Sequence, residues 1–248
     1  MNMKSFINRK TGFWLLGIIF FVQHLCFAQD AKFTKIIVTN TPDVLTESTA
    51  DLTIALVLSC ARRMSEGEKL LKSGNYTGWK PKLLLGMELK GKNFGILGAG
   101  RIGSAVAKRA KSFGTNILYV DQKRNIKLEK QFDAEKVSIK YLIQSSDILS
   151  VHLPLNNKTY HYLNQGKLNQ LKKNSILVNT SRGEVIDEKA LISLLRSNRL
   201  MAVGLDVFEN EPNVNPELLK FPNVLVLPHL GSATIDARNG MAELAIRN

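Results

Sequence analysis

Short apolar runs alternate with longer amphipathic runs from about residue 31 to the end of the chain. Apolar runs of this kind predict buried strands, because a strand covered on both faces needs apolar side chains at successive positions. The predicted strands lie at residues 36–38, 94–97, 116–120, near Val137, 148–152, 176–178, 201–205 and 224–227. Helices are predicted at residues 45–73, 101–113, 188–197 and 233–247. The alternation predicts an α/β fold with a doubly wound parallel sheet.

The chain has 248 residues, of which 44% are hydrophobic and 22% charged, as is usual for a globular protein. The formal net charge of +13 is less usual, and it raises the question of a nucleic-acid or anionic-lipid partner. The lysines are dispersed, however, and aromatic residues do not alternate with them as on a base-stacking surface. We interpret the charge as a solvated lysine-rich surface and expect no nucleic-acid partner.

The first 30 residues have the form of a secretory signal peptide. Three basic side chains precede an apolar run at residues 13–22, and the small residues Cys26 and Ala28 follow it. The apolar run is short for a membrane span. The other interpretation is a chance apolar head on an aberrant reading frame. Both interpretations stay open, and no other contact with a membrane is predicted.

Residues 98–103 match G-x-G-x-x-G between a predicted strand and a predicted helix. In this setting the first glycine permits a tight turn, the second lets the backbone approach a pyrophosphate, and the third lets helix and strand pack closely. The helix N-terminus adds N–H groups and a partial positive charge. We therefore predict a dinucleotide site that includes Gly98, Gly100, Arg101, Ile102 and Gly103.

Asp121 follows the next predicted strand, about 20 residues after the glycine loop. A carboxylate at this position accepts hydrogen bonds from the ribose hydroxyls and repels a 2′-phosphate, which favours NAD. The cations Lys123 and Arg124 follow and can neutralise a phosphate. NAD is thus the predicted cofactor, and NADP remains the alternative.

Arg182, Glu211 and His229 each follow a short apolar run in the C-terminal third of the chain. Because the carboxyl ends of parallel strands share one edge of a sheet, these three side chains can converge on one crevice. A guanidinium is a planar and permanently charged donor for a carboxylate. An imidazole transfers protons near neutral pH. The set predicts a site that orients a carbonyl substrate and moves a proton.

Six segments then occur together in one order: 39–47, 98–103, 151–155, 177–183, 204–208 with 211–212, and 228–234. On these segments the chain from about residue 35 resembles the D-isomer-specific 2-hydroxyacid dehydrogenases, near the glyoxylate and hydroxypyruvate reductase branch. The resemblance implies a Rossmann-like domain that transfers hydride between NAD and a small 2-oxo or 2-hydroxy acid. It also implies a homodimer, and we predict no metal site.

The resemblance assigns roles to the three reactive side chains. Arg182 would hold the substrate carboxylate and polarise the carbonyl, while His229 would give a proton to the carbonyl oxygen as hydride arrives. Glu211 would hydrogen-bond the other ring nitrogen of His229. Further cofactor contacts are implied at Pro154, Thr159, Thr180, Ser181, Asp206, His229 and Gly231. His152 and His161 receive no role.

Members of this family normally begin with a segment that forms most of a second, flavodoxin-like substrate domain. We expect only remnants of that domain here. The expected division is a signal-like or aberrant head at 1–30, a substrate-domain remnant at 31–45, the NAD-binding domain at 46–231, and the start of a returning helix at 232–248. Because the second domain would exclude water and orient the substrate, the activity of this chain is left open.

The sequence is therefore compatible with three functions. The first is an NAD-dependent reductase of glyoxylate, hydroxypyruvate or a related 2-oxo acid. The second is an NAD-sensing module that recruits partners, as corepressor relatives of these enzymes do, and the third is an inactive fragment that only binds NAD. NADH is a cytoplasmic cofactor, so a cytoplasmic location is favoured over export.

Overall fold

The computed structural model of the protein describes residues 40–247. Several expectations fall on residues 1–39 and so lie outside the described part. They are the signal-like head, the predicted strand at 36–38 and most of the segment assigned to a substrate-domain remnant.

A seven-stranded sheet forms the centre of the described region, and every pairing in it is parallel. The strand order is β3-β2-β1-β4-β5-β6-β7. The strands are β1 (Asn93–Leu97), β2 (Asn116–Val120), β3 (Glu135–Lys136), β4 (Ile148–Val151), β5 (Ser175–Asn179), β6 (Leu200–Leu205) and β7 (Val224–Val226). The predicted doubly wound α/β fold is confirmed. The strand expected near Val137 is β3, which has two residues and ends one residue before that position.

The helices of the described region connect the strands and cover both faces of the sheet. They are α1 (Thr46–Ala61), α2 (Met64–Lys72), α3 (Arg101–Ser112), α4 (Ile126–Phe132), α5 (Ile139–Ser145), α6 (Gln165–Leu168), α7 (Glu188–Arg196) and α8 (Ile235–Arg247). Short 3-10 turns lie at Gly183–Val185 and Leu218–Lys220. None of these helices combines the length and apolar character that a membrane crossing requires.

The prediction of one continuous helix over residues 45–73 was wrong. The helix ends at Ala61, and Arg63 adopts the left-handed conformation with φ 53°. The Arg63 guanidinium then donates to both carboxylate oxygens of Glu66, at 2.7 Å each. This local ion pair stabilises a break in the helix that apolar periodicity does not reveal.

Successive residues of the central strands are buried on opposite faces of the sheet, as the period of a strand requires. Helices α1 and α3 supply Leu56 and Val106 to one face, and α5 and α7 supply Leu142 and Leu191 to the other. Neighbouring residues of one strand therefore lie on opposite faces, as in Ile96 and Leu97, Ile148 and Leu149, and Ile176 and Leu177. Because both faces are covered, the strands are apolar throughout, and this explains the uninterrupted runs in the sequence.

Strand β1 pairs with β2 on one side and with β4 on the other. The chain thus adds β2 and β3 on one side of β1 and the later strands on the opposite side. Open parallel sheets form a ligand crevice at this switch point, beyond the carboxyl ends of the strands. The glycine loop follows β1 directly, so the fold places it at the mouth of that crevice.

Candidate active site

The glycine loop has the close packing that its motif requires. A Cβ atom on Gly103 would lie 2.0 Å from the carbonyl oxygen of Gly98 and 3.1 Å from a side-chain carbon of Ile96. A Cβ atom on Gly100, in contrast, would meet nothing within 4 Å. Gly103 is thus needed for helix-strand packing, whereas Gly100 keeps one side of the backbone open. An open backbone at the N-terminus of a helix is suited to a pyrophosphate.

A cavity of about 700 Å³ lies beside the glycine loop and is lined in part by Ala99, Gly100 and Arg101. The Arg101 guanidinium pairs with Asp43 at 3.1 Å on the exposed rim of this region. Asn125, which the sequence did not single out, donates through Nδ2 to the carbonyl oxygen of Ala99 at 2.9 Å. This bond ties the glycine loop to the segment that follows β2.

Asp121 lies directly after β2, as predicted, at the same edge of the sheet as the glycine loop. Its Oδ1 accepts the backbone N–H of Lys123 at 3.4 Å. The donor groups of the loop and this carboxylate are therefore the parts that would hold the pyrophosphate and the adenosine ribose of a dinucleotide.

The loop that carries Arg182 is fixed by the buried side chain of Asn179, the last residue of β5. Asn179 donates through Nδ2 to the carbonyl oxygen of Arg182 at 2.8 Å, and its Oδ1 accepts from Ser181 N and Oγ at 3.0 and 2.8 Å. A Cβ atom on Gly183 would lie 1.9 Å from the backbone of Phe208. The loop after β5 is therefore pressed against the segment that follows β6, where Glu211 lies.

His229 adopts the left-handed backbone conformation, with φ 54°. A non-glycine residue in this conformation needs support from its surroundings. Asp206 supplies it, because its carboxylate accepts the N–H groups of Leu230 and Gly231 at 2.7 and 2.8 Å and its carbonyl oxygen accepts the N–H of His229 at 3.0 Å. Asp206 is only 1% exposed, and burial raises the pKa of its carboxyl group against the opposing effect of the two N–H donors.

Glu211 and His229 form a direct hydrogen bond. The distance from Oε2 of Glu211 to Nδ1 of His229 is 2.7 Å, and Oε1 of Glu211 accepts the backbone N–H of Phe208 at 3.0 Å. When Glu211 is a carboxylate it can only accept, so Nδ1 carries the hydrogen and Nε2 is left for chemistry.

One cavity of about 560 Å³ is lined by Arg182, Glu211 and His229 together. The structure thus brings together the three side chains that the sequence predicted at one edge. The His229 side chain remains 48% exposed and that of Glu211 34% exposed, which leaves the imidazole accessible to a small molecule. The Arg182 Nη1 donates to the carbonyl oxygen of Ser181 at 2.6 Å. A guanidinium, a carboxylate and an accessible imidazole equip this cavity for an anionic carbonyl compound.

Helix α1 connects to two of the predicted cofactor positions by threonine hydroxyls. The Thr53 and Thr180 hydroxyls lie 2.8 Å apart, and Thr49 donates to the carbonyl oxygen of Gly231 at 3.1 Å. These bonds join α1 to the segments that follow β5 and β7. The side chains of Thr180 and Ser181 are therefore engaged within the protein, and their predicted contacts to the cofactor stay predictions.

The loop after β4 is organised by Thr159. Its Oγ1 donates to the carbonyl oxygen of Pro154 at 2.6 Å and accepts the N–H of Asn156 at 2.8 Å. The loop begins beside the glycine loop, since a Cβ atom on Gly98 would lie 2.8 Å from the carbonyl oxygen of His152. Pro154 and Thr159 thus belong to a loop that starts beside the glycine loop, and their cofactor contacts also remain predictions.

The two histidines that received no role are held by other side chains. His152 lies 2.8 Å from the Ser150 hydroxyl, and burial lowers the pKa of its imidazole to about 3. It is therefore neutral at physiological pH. His161 lies 2.8 Å from Glu209 and stacks on Tyr160.

Sequence reasoning missed Asn125, Asn179 and Asp206 as residues that position the loops. Asn179 stood within a quoted motif at the end of a strand, where an asparagine commonly bonds nearby backbone groups. Asp206 was assigned to the cofactor, while its bonds to residues 230 and 231 depend on contacts across 24 and 25 positions. No local pattern in the sequence marks such a contact.

The sheet and the glycine loop define a dinucleotide-binding domain of the Rossmann type. Residues 54–231 match the model of the NAD-binding domain of the D-isomer specific 2-hydroxyacid dehydrogenases. The chain belongs to this family. The resemblance stated from the sequence is confirmed, and with it the prediction of an NAD-dependent oxidoreductase family and of NAD as the cofactor.

Curated and structural relatives agree with this placement. A glyoxylate reductase of Thermococcus litoralis is 48% identical over 224 residues, which cover 89% of this chain and 68% of the relative. The crystal structure of a glyoxylate reductase from Paecilomyes thermophila has a TM-score of 0.79 at 39% identity, and the match covers 86% of this chain and 64% of that one. A D-lactate dehydrogenase from Aquifex aeolicus, solved with NAD and lactic acid, has a TM-score of 0.78 at 29% identity, with 86% and 68% covered. The chain thus spans about two thirds of the length of these relatives.

The two glycines of the loop give a matched pair of substitutions. We expect Gly103→Ala to lower the melting temperature, because its Cβ atom clashes with the Gly98 carbonyl at 2.0 Å. We expect Gly100→Ala to leave the melting temperature unchanged and to weaken NADH binding at least ~10-fold, because the methyl group would occupy the side left open for the pyrophosphate. Thermal unfolding and NADH fluorescence titration measure the two effects. Unchanged NADH affinity in Gly100→Ala would contradict the assignment of the loop.

Proposed function

We propose that this chain reduces a small 2-oxo acid, such as glyoxylate or hydroxypyruvate, with NADH. The observation that carries the proposal is the single cavity lined by Arg182, Glu211 and His229 at the carboxyl edge of an NAD-binding sheet. The glyoxylate reductases among the relatives support this choice of substrate class.

Arg182 is the proposed anchor of the substrate. Its guanidinium is permanently charged and planar, so it can hold a carboxylate and direct an N–H group to the adjacent carbonyl oxygen. The close approach of Gly183 to Phe208 keeps the loop that carries Arg182 next to the segment that carries Glu211. The charge of the guanidinium also stabilises the negative charge that develops on the carbonyl oxygen during reduction.

His229 is the proposed proton donor. The bond from Nδ1 to Glu211 orients the ring. In the imidazolium form Nε2 also carries a proton, which it gives to the substrate oxygen during reduction, and the neutral ring with its hydrogen on Nδ1 is left. In the direction of oxidation the same nitrogen takes the proton from the hydroxyl group. When bound, the nicotinamide supplies the hydride.

Substitutions at the site separate this function from binding of NADH alone. We expect His229→Gln to lower kcat about 10²- to 10⁴-fold while NADH binding is kept, because general acid catalysis contributes an effect of this size. Glu211→Gln leaves the ring without a purely accepting partner, so kcat falls as well. Glu217→Gln, which makes the same change at a surface ion pair with Arg196 and Lys220, serves as the control and keeps the wild-type rate.

The assay is NADH oxidation by the full chain with glyoxylate and with hydroxypyruvate. Turnover that depends on His229 supports the proposal. A wild-type chain that binds NADH and shows no turnover with either acid contradicts it. That result, with or without a captured partner protein, favours one of the two binding-only functions.

We further propose a homodimer formed through residues 64–85. This segment carries the exposed apolar side chains of Met64, Leu71, Tyr76, Trp79 and Leu85. Trp79 is 80% exposed, and α2 buries none of its residues within the chain. An apolar surface of this kind is typical of an association site, and a two-fold dimer is the commonest arrangement of identical chains.

Light scattering after size exclusion tests the dimer. We expect a dimeric mass for the wild-type chain and a monomeric mass for a Trp79→Ser/Leu85→Ser variant, because the exposed apolar area is lost. Leu219→Ser changes an exposed leucine outside the segment and is expected to leave the dimer intact. A monomeric wild-type chain at micromolar concentration would rule out the proposed interface.

We propose a cytoplasmic location, because the reaction consumes NADH. Fractionation of cells that produce the chain is expected to recover it with cytoplasmic markers. Recovery with an exported fraction or in the medium would contradict the proposal.

A further inference from the structure

Arg124 lies three residues after Asp121 and is one of the two cations that the sequence offers to a 2′-phosphate. In the structure its guanidinium is engaged by a carboxylate. Nε of Arg124 donates to Oε1 and Oε2 of Glu129 at 3.0 and 2.8 Å. Glu129 lies on α4, the helix that follows the loop of Asp121 and Arg124.

Glu129 is the better fixed partner of this pair. Its Oε1 also accepts the hydroxyl of Tyr119 at 2.6 Å, and that hydroxyl in turn accepts the backbone N–H of Asn125 at 2.8 Å. Tyr119 is fully buried in β2. The Glu129 side chain is 15% exposed, whereas the Arg124 side chain is 71% exposed. The position of Glu129 is therefore set by the core, and Arg124 follows it.

Glu129 also remains charged. The hydrogen bond from Tyr119 lowers the pKa of its carboxyl group most, burial opposes this, and the neighbouring Arg124 guanidinium lowers the pKa further. A carboxylate here holds a cation by a charge-assisted bond at physiological pH.

The pair also determines which surface Arg124 occupies. Arg124 and Glu129 line a groove at the edge of the sheet together with Leu118, Glu135 and Lys136. Asp121, the proposed partner of the adenosine ribose, does not line this groove. The guanidinium thus lies against the groove at the β3 edge.

We propose that Glu129 is a specificity-determining residue, which favours NAD over NADP by holding Arg124 away from the 2′ position of the adenosine ribose. Two carboxylates then act in different ways. Asp121 accepts the ribose hydroxyls and repels a phosphate, and Glu129 withholds Arg124, one of the two cations that would compensate for that repulsion. The inference rests on the NAD-binding domain and on binding alone, so it holds whether or not the chain turns over a 2-oxo acid.

The decisive variant is Glu129→Gln. Its amide oxygen can still accept the Tyr119 hydroxyl, while its lost charge releases Arg124. Fluorescence titration with NADPH is expected to show a Kd about 3- to 10-fold lower than in the wild-type chain, as release of one exposed cation to a phosphate allows. The Kd for NADH is expected to stay within about twofold, since NADH has no 2′-phosphate.

Two controls assign the effect to Arg124. In the double variant Glu129→Gln/Arg124→Gln, the gain for NADPH is expected to disappear. Glu217→Gln removes the same charge at an ion pair with Arg196 and Lys220, and it is expected to change neither Kd.

An unchanged NADPH affinity in folded Glu129→Gln would overturn the proposal, and so would a gain that persists in the double variant. The single variant Arg124→Gln gives an independent test that does not depend on the folding of Glu129→Gln. Because Arg124 is withheld in the wild-type chain, this variant is expected to bind NADPH as the wild type does. A clear loss of NADPH affinity would mean that Arg124 already reaches the phosphate, and it too would overturn the proposal.

Discussion

The buried carboxylate of Asp206 is the interaction on which the candidate site depends. It lies at the end of β6 and accepts the two N–H groups that follow His229, so it joins the ends of two neighbouring strands. His229 is thereby kept in a left-handed conformation that its side chain disfavours. Without this support the imidazole would lose its fixed relation to Glu211. The geometry of the proposed proton donor, His229, is thus set by a residue that need not touch the substrate.

The same edge of the sheet is reinforced by other short polar bonds. Asn179 closes the loop of Arg182, and the hydroxyls of Thr49 and Thr53 connect α1 to the segments after β7 and β5. Each bond joins loops that start from different strands. The strands are held in place by their packing in an apolar core. The polar bonds hold the loops of the site in fixed positions relative to these strands. Arg182, Glu211 and His229 can then share one cavity although they are far apart in the sequence.

Much of the fold follows from local features of the sequence. The strands are apolar because both faces of the sheet are covered, and the motif at 98–103 needs a strand before it and a helix after it. The order of the parallel strands places Arg182 and His229 at one edge, so their proximity could be predicted as well. The helix break at Arg63 and the hydrogen bonds of Asp206 and Glu129 could not be predicted from the sequence. They depend on single side chains that meet partners outside the repeating pattern of apolar residues.

The cavity of Arg182 and His229 is the proposed place where a 2-oxo acid meets the nicotinamide. A crystal structure of the full chain with NAD and oxamate, an unreactive analogue of such an acid, tests this most directly. We expect the oxamate carboxylate on the guanidinium of Arg182 and its carbonyl oxygen within about 3.2 Å of Nε2 of His229. Oxamate bound elsewhere, or a nicotinamide ring remote from these two side chains, would contradict it.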